Sequence, residues 1–189
     1  MILKSKINAI YQAIFICTFF VFNFTGPTLA SSDLFVPKNL YDALTDRAVI
    51  QEGLNFNTLK AAIDAADLKE TVEGLNSVAI FAPTDRAFSA LPEGVLEALL
   101  SNKAALVKVL TRHIAQDDGG LTYYGIEMDT RGRRKPLSML NGAVLFLRQE
   151  TVATTPNSTI INLYIGNAKL IARQIKTYSG SIFAIDAVL

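Results

Sequence analysis

SVAIFAPTDRAFSALP, residues Ser77–Pro92, is the stretch that decides the fold. Its first five residues, Ser77–Phe81, form a short apolar run that reads as a buried strand. Ala82-Pro83-Thr84-Asp85 then turns the chain. Pro83 fixes its own backbone angle, and Thr84 or Asp85 can accept a hydrogen bond from the open N–H groups of a following helix. That helix is expected over Arg86–Ala90, and Pro92 suits the first turn of another over Glu93–Leu100. Phe81 and Phe88 flank the proline turn, so strand and helix can each bring an aromatic ring to the core.

Working outward, the chain before this stretch is helical in pattern. Asn39–Arg47 reads as a short helix. Leu59, Ala62, Ile63 and Ala66 recur at the spacing of one buried helix face, and Gly74 closes that region. Downstream, a helix is expected over Lys103–His113, with Leu106, Val109, Leu110 and His113 on one face. After Gly119-Gly120 the pattern changes to strands: Leu137–Leu140, Ala143–Arg148, Thr159–Ile165, Lys169–Ile175 and Ile182–Leu189. Asn141-Gly142, Gly166-Asn167 and Ser179-Gly180 supply the turns. Helices first and an antiparallel strand cluster afterwards predict an α+β fold.

Three segments together resemble the fasciclin-type domain (fasciclin I-like, beta-Ig-h3). Ser77–Pro92 follows that family's T-[VL]-F-A-P-T-[ND]-x-A-F-x-x-L-P pattern, including Phe81, Pro83, Thr84, Asp85 and Phe88. Leu106–Ile114, LVKVLTRHI, is similar to the helix that usually ends in Tyr-His, here at Arg112-His113. Tyr178–Leu189, YSGSIFAIDAVL, is similar to the terminal N-G-x-I-H-x-I-D-x-V-L segment, with Gly180 and Asp186 in place. The resemblance covers 39–189. It implies N-terminal helices packed on a C-terminal, largely antiparallel β-sheet wedge, and an adhesion or matrix-interaction module outside the cytoplasm. The motif marks the fold more than an activity. Arg112 stands where the family carries tyrosine, so the integrin binding associated with that region in animal members is not carried over. Phe183 replaces a common histidine and Ser179 a common asparagine, and Arg131-Gly132 continues to Arg133 instead of aspartate.

The N-terminus points to export. Lys4 and Lys6 precede a stretch without charge from Ile7 to Ser32, which contains the apolar run Ala13–Phe24. Gly26-Pro27 ends a helix there, and Thr28 and Ala30 place small residues for cleavage between Ala30 and Ser31. This predicts a signal peptide over 1–30 and a short segment 31–38 before the domain. Retention as an uncleaved anchor is the alternative, and the only one that brings a membrane contact. Cys17 does not fit a lipid-anchoring site, because Ile16 before it is not small. Cleavage removes two lysines and no acid, so the net charge passes from +1 to −1. No large positive field is left to attract nucleic acid. Cys17 is the only cysteine, so the mature domain is cysteine-free and carries neither disulfide nor thiol chemistry.

Chemistry-bearing residues are sparse. His113 is the only histidine and is expected to be a buried neutral ring bonded to backbone at a helix end. One histidine and no mature cysteine argue against zinc. Asp117-Asp118, Glu127 and Asp129 match no calcium loop and read as solvated acids. No nucleophile elbow or phosphate-cradling loop is present. No catalytic residue, cofactor or metal site is therefore expected. Candidate contacts are Arg112, Tyr123, Tyr124, Arg131, Arg133, Arg134 and Lys135. The tyrosines can offer flat contact area or serve as core residues beside a strand. The basic run is either a soluble hairpin connection or a local contact for acidic polysaccharide or anionic headgroups. Asn157-Ser158-Thr159 is a glycosylation sequon. The expected function is an exported adhesion protein binding a protein or polysaccharide of the envelope or matrix. A small-molecule or polysaccharide-binding protein is the alternative and a hydrolase the remoter one.

Overall fold

The computed structural model describes residues 39–44, 54–117, 121–131, 133–155, 158–172 and 174–189. The expected signal 1–30 with Ala30 and Ser31, the segment 31–38, Asp118, Gly119-Gly120, Gly132 and Asn157 lie outside the described residues.

Strand β1, Val78–Pro83, is buried at every position. Val78, Ile80 and Ala82 enter one core, and Ala79 and Phe81 enter another. Strand β8, Gly180–Ile185, lies parallel beside it and divides in the same way: Ile182 and Ala184 to the first core, Phe183 and Ile185 to the second. A strand covered on both faces needs a continuous apolar run rather than an alternation. VAIF and IFAI are such runs. Strand β2, Ile114–Gln116, pairs antiparallel with β1, and β7, Ile175–Lys176, pairs antiparallel with β8, giving the order β2-β1-β8-β7.

The first core lies between this sheet and the helices. These are α1 Leu40–Ala43, α2 Asn57–Ala65, α3 Lys69–Gly74, α4 Asp85–Ser89, α5 Val95–Ser101 and α6 Lys103–Arg112. Leu59, Ala62, Ile63 and Ala66 are buried here, as their spacing predicts, together with Phe88, Leu106 and Leu110. The second core lies between the first sheet and an antiparallel sheet ordered β3-β4-β5-β6. Its strands are β3 Lys135–Ser138, β4 Val144–Thr155, β5 Ser158–Ile165 and β6 Ala168–Lys169. Leu137, Leu145, Leu147, Leu163 and Ile165 close on Phe81 and Phe183, whose rings stack at 5.4 Å between centroids and 20° between planes. Helix α7, Tyr123–Asp129, seals that core with Ile126.

The α+β class and the largely antiparallel pairing are present, with a parallel pair at the centre. Several boundaries differ from the sequence-based expectation. Asn39 is the cap of α1 rather than its first residue, accepting from Asp42 N at 2.7 Å, and the helix ends at Ala43. Helix α5 begins at Val95 and not near Pro92, because Gly94 takes the left-handed conformation (φ 80°) and interrupts the helix. A helix, α7, occupies 123–129 where strands were expected to follow Gly120; Thr122 caps it through a 2.9 Å bond to Gly125 N. Among the described residues, the expected strand Lys169–Ile175 divides into the end of β6, a single bridge from Leu170 to Ile185, and the start of β7 at Ile175. The last strand ends at Ile185, where Asp186 turns away.

Candidate functional site

The motif residues build structure around β1. Pro83 ends the strand, at a position where pairing with β2 has already stopped, so its missing N–H interrupts no ladder bond on that side. Thr84 Oγ1 accepts from Ala87 N at 3.4 Å and so caps α4. Asp85 serves a different helix. Its Oδ1 accepts from Thr58 N at 2.7 Å and its Oδ2 from Asn57 Nδ2 at 3.0 Å. Helix α2 has no side-chain cap of its own, because Phe56 holds the cap position. Asp85 therefore caps α2 from 28 residues away. Burial opposes its charge, but the bonds from Thr58 and Asn57 outweigh burial and hold its pKa below the ordinary carboxylate value.

His113 sits at the end of α6, 2% exposed. Leu189 N–H donates to Nε2 at 3.0 Å, so Nδ1 carries the proton and donates to Val109 O at 2.8 Å. Burial pushes the pKa down to about 4, assisted by the Arg112 charge and opposed by the bond to Val109. The ring is thus neutral at physiological pH, with both nitrogens engaged by backbone. Gly180 meets β1 so closely that a Cβ there would lie 1.9 Å from Val78 O. Asp186 Oδ1 accepts from Lys169 N at 2.8 Å and ties the end of β8 to β6.

The candidate contact residues separate. Tyr123 is half-buried against the second core, and its N–H donates to Gln174 Oε1 at 2.5 Å. Tyr124 points the other way, 64% exposed. It shares one face of α7 with exposed Met128, four residues on, and Arg131 follows three residues later. Lys135 bonds Asp129 at 2.5 Å, and this bond, with the positive charges of Lys135 and Arg133, holds the Asp129 carboxyl below its ordinary pKa. Arg131 approaches Glu127 at 4.0 Å. Arg133 and Arg134 are exposed and have no ion-pair partner among the described residues. Tyr124, Met128, Arg131, Arg133 and Arg134 are thus all exposed and follow one another along α7 and the stretch after it. Arg112 is half-buried at the end of α6 and belongs to a separate region.

Two features were missed in the sequence. A cleft of about 210 Å³ opens between the β7–β8 turn and the start of α7, lined in part by Asp117, Thr122, Gln174, Lys176, Tyr178 and Ser179. Its residues come from three separated segments, so no local spacing marks it. The outer face of the second sheet carries exposed Val144 and Phe146, with Arg148 stacked 4.0 Å over the Tyr164 ring. The alternation in VLFLR did signal a two-faced strand. Among the described residues, no group of three His, Cys, Asp or Glu side chains is placed to hold a metal ion, and no helix is long and apolar enough to cross a membrane.

The family model described as Fasciclin domain matches residues 54–189. Protein sll1483 of Synechocystis is 31% identical over 149 residues, which cover 78% of this chain and 73% of that protein. Immunogenic protein MPB70 of Mycobacterium bovis is 32% identical over 120 residues, covering 62% of this chain and 53% of that protein. Among solved structures, a FAS1 domain pair from the insect cell adhesion molecule fasciclin I is similar, with a TM-score of 0.52 at 19% identity. The match covers 70% of this chain and 45% of that one. At that identity the likeness concerns the fold.

Proposed function

The chain belongs to the fasciclin domain family, and on that premise we propose that it is an exported interaction module that binds an acidic polysaccharide of the envelope or matrix without covalent chemistry. The observation that carries this reading is the succession of exposed residues Tyr124, Met128, Arg131, Arg133 and Arg134 along α7 and the stretch after it. It combines an exposed aromatic, an apolar neighbour and two arginines without ion-pair partners among the described residues. Arginine matches carboxylate and sulfate groups in two-pronged geometry, and tyrosine adds a flat amphipathic face. The motif residues, by contrast, are engaged in the fold: Asp85 caps a helix and both His113 nitrogens bond backbone. With both ring nitrogens bonded to backbone, His113 has none free to act as a base. The insect protein of similar fold is a cell adhesion molecule, which supports this reading.

The test uses the full chain expressed in an exporting host. N-terminal sequencing of the exported protein should begin at Ser31. The same material should be retained on immobilised alginate at low salt and released as salt rises, because exposed charge pairs are screened. Neutral dextran should not retain it. Retention that ignores salt, or that is equal on dextran, would contradict the proposed contact.

A further inference from the structure

The cleft beside the β7–β8 turn is lined by groups that hydrogen-bond in both directions. Thr122 and Ser179 offer hydroxyls, Gln174 an amide, Lys176 an ammonium and Asp117 a carboxylate. Most of the walls are held in place by bonds of their own. Gln174 accepts from Tyr123 N at 2.5 Å and donates to Ser181 Oγ at 3.4 Å. Asp117 accepts from Leu121 N through both oxygens, at 2.9 and 3.0 Å. The hydroxyl of Ser179 is the exception, although its backbone N–H donates to Thr177 Oγ1 at 3.3 Å. Ser179 is 1% exposed, it lines the cleft, and its Oγ has no hydrogen-bond partner among the described residues. A buried hydroxyl left unpaired carries a desolvation penalty that an incoming polar group relieves. Tyr178 also lines the cleft and is 64% exposed, so its ring is available as a flat wall.

We infer that this cleft is a binding site for one hydroxyl-rich sugar ring, held by Ser179, Gln174 and Lys176 and covered by Tyr178. The volume of about 210 Å³ falls below the roughly 300–1,000 Å³ of sites for drug-sized ligands and suits a single ring. One carboxylate and one ammonium among several neutral donors and acceptors favour a neutral polyol over a charged ligand. Thr122 caps α7 at the cleft, and the basic loop follows the other end of that helix. Seven helical residues span about 10 Å, so one polysaccharide chain can meet both. The inference thus rests on the polysaccharide reading above and gives it a subsite.

The test is amide chemical-shift titration of the full chain with glucose, galactose and mannose, and with glycine betaine as a solute without hydroxyls. Saturable shifts at Asp117, Thr122 and 177–181 with at least one hexose, and none with betaine, are expected. Ser179→Ala should weaken that binding by roughly three- to tenfold, the worth of one hydrogen bond, while leaving the melting temperature equal or higher. Tyr178→Ala, at an exposed position, should weaken it too. No saturable shift with any hexose, or equal binding by both variants, overturns the inference and leaves the cleft to solvent. If alginate retention survives that result, the broader reading stands without the subsite. Hexose shifts without alginate retention would remove the arginine surface and keep the cleft.

Discussion

At the residue scale, His113 shows how a side chain of catalytic type can serve the fold alone. It joins the end of α6 to residue 189 through two backbone bonds, and its carbonyl accepts from Phe81 N at 2.8 Å. Its folded pKa of about 4 lies below its ordinary 6.5. Between those values the unfolded chain takes up the proton more readily, so stability falls as pH drops from about 6.5 to about 4. The loss totals about 3 kcal/mol. The depressed carboxyls of Asp64, Asp85 and Asp129 act at lower pH, around and below their ordinary 3.8, so the range from about 6.5 to about 5 reports on His113 with little contribution from them. Urea unfolding at a series of pH values should show the loss in the unmodified chain. His113→Gln should be less stable at neutral pH and nearly flat across the same range; a parallel slope in both would contradict the assignment. The histidine's burial was legible in its helical phase beside Leu106 and Leu110. Its second partner was not, because Leu189 is 76 residues away.

At the element scale, the motif couples two helices through one turn. Thr84 caps α4 and Asp85 caps α2. The sequence offered both as caps for the nearer helix, since a cap from a distant segment leaves no local trace. Asp85→Ala should cost about 1–2 kcal/mol by urea midpoint, because Thr58 N and Asn57 lose their acceptor. Asp85→Asn, which keeps an oxygen for Thr58, should lose less. Equal losses for the two would argue that charge and not the cap matters. Helix α7 escaped notice for a related reason. Only Ile126 of its seven residues is buried, and Gly125 lies within it, so its pattern resembles a turn. Helix α2, with three buried residues at regular spacing, was plain.

At the scale of the whole molecule, β1 and β8 form a shared middle layer between the helices and the second sheet. The apolar runs announced strands covered on both faces, and the motif resemblance indicated which fold they serve. The parallel pairing was beyond local reading, since it joins segments about a hundred residues apart. The same distance effect hid the cleft, whereas the arginines of the exposed surface stood together in the chain. In the proposed division of labour, the arginine-bearing surface binds while the motif residues hold the fold. That division is tested most directly by alginate affinity of the full chain beside Arg133→Gln/Arg134→Gln, with urea midpoints measured on the same samples. Because both side chains are exposed and without ion-pair partners among the described residues, the midpoint should stay within about 0.5 kcal/mol. Affinity should fall about tenfold or more, with a shallower salt dependence. Unchanged affinity at unchanged stability would contradict the claim.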